Sequence, residues 1–461
     1  MSPAPWPDDL LPAIRAANAA AGRKLVALDD DPTGVQTVFD TAVLARWSVD
    51  DLAAELADPR PVCFVLTNSR SLAEPDAIAL DREVAANLLA ASRRTGRPFV
   101  VASRSDSTLR GHFPAETDAL ADALGGIDAT LLVPAFTEGG RLTVDDVHYL
   151  RDGDRLVPVG ESEFARDATF GYRASNLRDW VAEKSGGRVA AEAVRSLGLD
   201  LIRGEGPEGV AALLAGCRDG AFVVVNAETD RDLEIVARGA QIAEDADCRF
   251  LYRTGASFVR VRAGLPKRPL LTRDDLLGPG VPPGAPGLVV VGSHVRKSSE
   301  QLAHLLAQPD LGLVSVELRV PAVVDPAHRD AEVARGRDAV GAALAAGRVP
   351  VVATSRDVLL GSSPAGSLAL SRDVSAAMVE VVRTFAGAPA WVVAKGGITS
   401  SDIGTLGLGA RRAIVLGQVL PGVPVWRLGP ETRFPGIPYV VFPGNVGGPD
   451  ALADVVRALL G

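Results

Sequence analysis

Cysteine and histidine are scarce in this chain, with three of the first and five of the second among 461 residues. Cys63, Cys217 and Cys248 are widely separated, odd in number and without CxxC spacing, which excludes a disulfide framework and a cysteine zinc site. The histidines are scattered and show no HExxH pattern, so no metal ligand set is assigned. Long apolar runs are missing too: nowhere do roughly 18 uninterrupted apolar residues occur, and MSPAPWPDDLLPAIRAANAA has no basic segment followed by an apolar one. Neither a membrane span nor a secretory leader is expected, and a cytoplasmic location is. A net charge of -9 gives no electrostatic reason to expect nucleic acid, and an acidic substrate would have to be met by local arginines.

What is present is the composition of an ordinary globular protein, 47% hydrophobic and 23% charged, long enough for at least two domains. Short apolar runs (KLVAL, AVLAR, VCFVLT, FVVAS, TLLVPA, AFVVVN, RFLY) alternate with amphipathic stretches such as EPDAIALDREVAANLLAASRR. That alternation predicts α/β architecture with a largely parallel sheet flanked by helices. From 264 to 287 the chain turns Pro- and Gly-rich and loses periodicity, which predicts a linker between a domain over 1–263 and one over 288–461. The strand pattern then restarts with LVVVGS, LVSVEL, VPVVATS, WVVAKGG, AIVLGQ and YVVFPGN.

In open α/β sheets ligands bind beyond the carboxyl ends of the strands. In the first half those ends carry Asp29-Asp30-Asp31-Pro32-Thr33-Gly34, then Thr67-Asn68-Ser69-Arg70-Ser71, then SRSDSTLRGH from Ser103 to His112, then PAFTEGGR from Pro134 to Arg141. Acid, hydroxyl and arginine sets on successive strands suit a small polyhydroxylated anion. Arg70, Arg104 or Arg110 can grip a carboxylate bidentately, and the aspartates can accept hydrogen bonds from hydroxyls or act as a base. In the second half the ends carry Gly292-Ser293-His294, then Lys395-Gly396-Gly397-Ile398-Thr399-Ser400, and then Gly444-Asn445-Val446-Gly447-Gly448, glycines that let backbone N–H groups approach phosphate. GSHVRKSS fails as a Walker A loop because Arg296 stands at the second glycine, and TLGLGARR lacks the third glycine of a dinucleotide fingerprint. His112, His148 and His294 rank lower, as caps or surface groups, and the loop VGESEFARDATF with Glu161, Glu163, Arg166 and Asp167 reads as solvated.

A competing pattern is Asp29, Asp31 and Thr33 as DxDxT after an apolar strand, which resembles the nucleophile loop of haloacid-dehalogenase-type phosphatases; the lysine that family needs is missing, since none occurs between Lys24 and Lys184.

Taken in order, DDDPTG, TNSRS, DSTLRG, PAFTEGGR, ESEFARD, GSHVRKSSEQ, KGGITSSD and GNVGG resemble the four-carbon acid sugar kinases over nearly the whole chain. The resemblance implies ATP-dependent phosphorylation of erythronate, threonate, an oxo derivative or a related branched acid. It implies a sugar-acid site on the N-terminal domain involving Asn68, Ser69, Arg70, Arg104, Ser107 and Arg110. Asp106 would be the base or hydroxyl-orienter, with Asp30 and Asp31 as competing candidates and Arg110 and Arg70 as carboxylate ligands. The nucleotide would be held by Ser293, by the loop Gly396, Gly397, Ile398 and Thr399, and by Gly444, Asn445 and Gly447, bringing Mg²⁺ with it. The active site would lie where the domains meet. The chain departs from the family with Ser103-Arg104-Ser105 before DST, His112 after RG, and PAFTEGGRLTVDD in place of PAFPENGRTTVNG, all on the sugar side. A small-molecule acid and ATP are the expected partners, without nucleic acid or membrane, and a homo-oligomer is compatible. A phosphatase or a non-catalytic sensor of acid and nucleotide are the alternatives.

Overall fold

The structure, a computed structural model, describes residues 3–355 and 364–461. It divides into two compact units, Met1–Lys267 and Arg268–Gly461.

In the first unit the apolar runs form strands β1 (Lys24–Asp29), β2 (Thr41–Leu44), β3 (Val62–Leu66), β4 (Phe99–Arg104) and β5 (Ala129–Val133). A small antiparallel sheet, β6 (Arg141–Val144), β7 (Val147–Asp152) and β8 (Arg155–Pro158), comes next, then β9 (Arg195–Leu197), β10 (Ala221–Val225) and β11 (Phe250–Thr254). The main sheet runs β2-β3-β1-β4-β11-β5-β10-β9, and every pairing in it is parallel. Parallel strands are covered on both faces, which is why β1, β3 and β5 are buried at every position and read as continuous apolar runs. The helix Glu74–Thr95 shows how sequence sets its ends: Pro75 sits in the first turn, where its missing N–H costs nothing, and Gly96 stops it at φ +67.

Register brings the strand ends level. Leu66 pairs with Asp29, Asp29 with Arg104, Arg104 with Thr254, and Thr254 with Val133. Five strands therefore end in one row, and the segments that follow them leave the sheet side by side.

The second unit holds β12 (Leu288–Val291), β13 (Leu313–Leu318), β14 (Val349–Thr354), β15 (Val392–Lys395), β16 (Arg412–Leu420), β17 (Val423–Leu428) and β18 (Pro438–Phe442). Its strand order is β13-β14-β12-β15-β18-β17-β16, parallel as far as β18 and antiparallel beyond. Val291, Lys395 and Phe442 end level with one another.

The expected linker over 264–287 is corrected in part. From Arg268 onward it belongs to the second unit, where Leu271, Leu276 and Leu277 are buried against Val289 and Val291. Its short helix, Arg273–Leu277, is started by a reciprocal Thr272–Asp275 capping box. The prolines and glycines mark turns, while the leucines anchor the stretch. Sequence periodicity also missed the β6–β8 sheet, whose strands are short and only partly buried.

Candidate active site

The loop after β1 folds back over its own strand end. Asp31 Oδ1 accepts from the backbone N–H of Thr33 at 2.8 Å and from its hydroxyl at 2.6 Å. A methyl group at Gly34 would lie 2.0 Å from Asp29 Oδ1, so only glycine lets the turn close on that carboxylate. Asp29 is thus 1% exposed, and burial pushes its carboxyl well above the usual range, with the Arg104 charge opposing and Asp30 and Asp31 reinforcing the shift. A carboxyl so covered is no nucleophile open to substrate, which removes the structural basis of the phosphatase reading.

Asp30 and Asp31 converge instead on Arg70. Its Nε and Nη2 donate to the two oxygens of Asp30 at 3.1 and 2.5 Å, and Nη1 donates to Asp31 at 3.3 Å. Burial alone would raise the Asp31 carboxyl, but Arg70 and the Thr33 bonds hold it below the usual value. Asn68 turns the chain at φ +51, which presents Arg70 to the aspartates and sends Ser69 inward, where its hydroxyl donates to Glu116 at 2.5 Å.

SRSDSTLRGH closes the site. Asp106 is half-buried; its Oδ2 accepts from the Thr108 hydroxyl and from Arg110 Nε, the latter at 2.6 Å. Burial works against its charge, yet Arg70 and Arg110 overcome that and hold the carboxyl far below the usual range, so Asp106 is an ionised acceptor at neutral pH. The loop is held from beneath: Leu109, at φ +70, and Phe113 enter an apolar cluster with Trp180 and Phe222. The Tyr172 hydroxyl donates to the Thr108 carbonyl at 2.5 Å, and His148 bridges the Thr143 hydroxyl and the Ser107 carbonyl at 2.9 and 2.8 Å. Burial lowers the His148 pKa to about 4, so it is a neutral strut. His112 is likewise structural, its Nε2 lying 3.1 Å from the Leu72 carbonyl.

Arg104 is buried; its Nη1 donates to the Ser105 carbonyl at 2.6 Å while its Nε has no acceptor. The loop expected to be solvated comes in over Arg110, with Phe164 5.0 Å below the guanidinium and Asp167 Oδ2 at 3.8 Å from Nη1. The expected sugar-acid residues are therefore gathered at one sheet edge. Arg70 and Arg110 are both already engaged by aspartates.

Three charged groups that sequence reading passed over lie here. Glu116 is raised by burial and by Asp30; Asp81 is pushed up to about 9 by burial, Glu116 and Asp30. Arg253 is the penultimate residue of β11, just before Thr254, and extending the strand-end rule to a fifth strand, RFLYRT, would have found it. The two acids sit on helices, where one acidic residue looks like any other.

In the second unit the glycine loops lie at the ends of β12, β15 and β18. A methyl group at Gly292 would meet Thr399 Oγ1 at 2.3 Å, one at Gly444 would meet Ser293 Oγ at 3.1 Å, and one at Gly447 would meet the Ala451 methyl at 2.4 Å. Gly396 and Gly447 have φ of +116 and +84. Ser298 ties the loops together, donating to the Gly444 carbonyl at 2.9 Å with its Oγ 3.0 Å from Ser293 Oγ. Lys297 donates to the Asn445 carbonyl at 3.2 Å and Lys395 to the Pro443 carbonyl at 2.9 Å. Bare backbone with two lysines beside it suits a polyphosphate. Burial, with Lys297 nearby, lowers the Lys395 amine to about 7. Ile398 is exposed at the tip of its loop. Among the described residues no three His, Cys, Asp or Glu side chains are grouped to hold a metal ion, and no helix is long and apolar enough to cross a membrane.

One α/β unit thus carries paired acids and arginines at its strand ends, and the other carries glycine loops with lysines beside them. The family models agree: residues 25–262 match the sugar-binding N-terminal domain and 288–452 the nucleotide-binding C-terminal domain. The chain belongs to the four-carbon acid sugar kinase family. It is 27% identical over 321 residues to a D-erythronate kinase of Heliobacterium modesticaldum, covering 68% of this chain and 66% of that protein. It is 33% identical over 217 residues to a D-threonate kinase of Bordetella bronchiseptica, covering 45% and 48%. A D-threonate kinase of Cupriavidus necator is 29% identical over 385 residues, covering 80% and 83%. The chain thus spans just under two thirds of the first relative and about half of the second. Solved structures from Salmonella typhimurium LT2, a protein described as a tRNA synthase, and from Haemophilus influenzae share the fold. Their TM-scores are 0.66 and 0.61 at 18% and 19% identity, covering 94% and 95% of this chain and 99% and 100% of theirs.

Proposed function

We propose that this chain is an ATP-dependent kinase acting on a hydroxyl of a four-carbon or closely related branched sugar acid. The observation that carries the reading is Asp106, an ionised and half-open carboxylate at the strand edge of the sugar-binding unit, framed by Arg70 and Arg110. The kinase names of the relatives support the same reaction class.

The substrate hydroxyl attacks the γ-phosphorus of ATP, the bond to the β,γ-bridging oxygen breaks, and ADP leaves with that electron pair. Asp106 accepts the hydrogen bond of the attacking hydroxyl. Held so far below neutrality it is a weak base, so it orients the nucleophile and takes the proton late, as a loose phosphoryl-transfer transition state allows. Arg70 and Arg110 keep Asp31 and Asp106 ionised, and Arg70 holds Asp30 in place through two hydrogen bonds. The glycine loops with Ser293, Thr399, Asn445 and the two lysines hold the phosphates, and Mg²⁺ arriving with the nucleotide would neutralise the developing charge.

The test is ADP formation with MgATP across four-carbon and branched sugar acids, including 2-oxo and 3-oxo forms. Turnover strictly dependent on one acid is expected. ATP binding without turnover on any acid would sink the kinase reading and favour a sensor.

A further inference from the structure

Arg253 stands apart from the other arginines of the sugar-binding unit. The residue is 3% exposed, and its guanidinium lies over Phe113 and Trp180, 5.3 and 5.2 Å from the ring centres. Among the described residues its hydrogen bonding amounts to one long contact, Nη2 to the Arg110 carbonyl at 3.3 Å, and no carboxylate forms an ion pair with it. Arg70 and Arg110, by contrast, are each paired with an aspartate. The other donors of Arg253 have no protein partner among the described residues, and burial of the residue disfavours its charge. The charges of Asp30, Glu116 and Asp106 offset that cost from a distance without using its fork.

Gly111 lies beside both the fork and Asp30. It has φ +126, and a methyl group there would lie 3.4 Å from Asp30 Oδ2 and 3.6 Å from Arg253 Nη2. A donor and an acceptor thus flank the same glycine, which carries no side chain to separate them. Two such groups complement a carboxylate that carries a hydroxyl on the adjacent carbon: the carboxylate accepts from the arginine and the hydroxyl donates to the aspartate.

We propose that Arg253 binds the substrate's carboxylate and that Asp30, across Gly111, takes the neighbouring hydroxyl, so that this pair selects 2-hydroxy acids over neutral polyols and 2-deoxy acids. The proposal rests on the sugar-acid kinase reading and adds to it the groups that recognise the acid. Arg70 and Arg110 then serve to position the aspartates.

The experiment compares the full-length wild type with Arg253→Met and Arg253→Lys, using the best four-carbon 2-hydroxy acid, its 2-deoxy analogue and the corresponding neutral tetritol. In both variants kcat/KM for the acid should fall by roughly 10- to 100-fold, the preference for acid over tetritol should collapse, and the KM for ATP should stay as it was. A folded variant that keeps the wild-type preference overturns the assignment. If Arg253→Met does not fold, Arg253→Lys decides, because it keeps the charge and loses the planar fork. Calorimetric binding of the acid is read in parallel. Wild type that binds the acid without turning it over, with binding weakened in Arg253→Lys, removes the kinase reading and leaves Arg253 as the acid's ligand. Wild type that neither binds nor turns over any acid removes both.

Discussion

At the scale of single residues, the site separates aspartates by what surrounds them. Asp29 lies under Gly34 and is driven toward its neutral form by burial, while Asp106 is drawn far the other way by Arg70 and Arg110. Asp106→Asn keeps the shape and removes the charge; turnover should fall by on the order of 10² to 10⁴ while ATP binding, measured by calorimetry, is retained. Near-normal turnover would take Asp106 out of the mechanism. Gly34→Ala puts a methyl group against the Asp29 carboxylate and should cost about 1–3 kcal/mol, read as a lower urea midpoint. An unchanged midpoint would mean that the loop shifts freely, contrary to the tight Asp31–Thr33 turn.

At the scale of elements, the candidate-site groups sit on loops and buried anchors aim them. SRSDSTLRGH is held by Phe113, stacked 4.4 Å from Trp180. Phe113→Ala should destabilise the protein by roughly 3–5 kcal/mol, and because Arg253 also rests on that ring it should raise the KM for the acid more than that for ATP. In the nucleotide-binding unit, Gly396→Ala forces a side chain into φ +116 and against Ser293 and Thr399. The expected result is the opposite split, weaker ATP binding with the acid bound as before. Equal losses of both ligands in either variant would argue for general unfolding. Much of this was legible in the sequence, since strands ending in DDDPTG, TNSRS and DSTLRG announce their loops. The engagement of Arg70 by Asp30 was not, because an ion pair between residues 40 apart in sequence depends on which strands are neighbours.

For the whole molecule, two buried titrating groups shape stability against pH in opposite senses. Asp81 is raised from 3.8 to about 9, so the folded chain holds a proton that the unfolded chain has lost, and this contribution, full below pH 4, fades as pH rises through 9. Lys395 is lowered from 10.5 to about 7, so folding releases a proton; its contribution is full above pH 10.5 and is lost as pH falls through 7. Between pH 7 and 9 the two slopes oppose one another. Asp81→Asn should therefore make stability rise with pH in that window, and Lys395→Met should make it fall, in urea midpoints taken at each pH. Identical profiles for both variants and wild type would show that neither shift is real.

The order of apolar runs and amphipathic stretches by itself determined the α/β class and the two-part division, because parallel strands buried on both faces leave a local signature; the family came from the resemblance of the strand-end motifs. Tertiary structure alone decided which charges meet. The row formed by Asp29, Arg104 and Thr254 is set by strand order and register, and it makes Arg70 a partner of aspartates. It also leaves Arg253 buried beside Gly111, without an ion pair among the described residues. Hydrophobic periodicity repeats within each segment and is visible in any window of sequence; a pairing of charges depends on distances between segments, which only the folded sheet establishes.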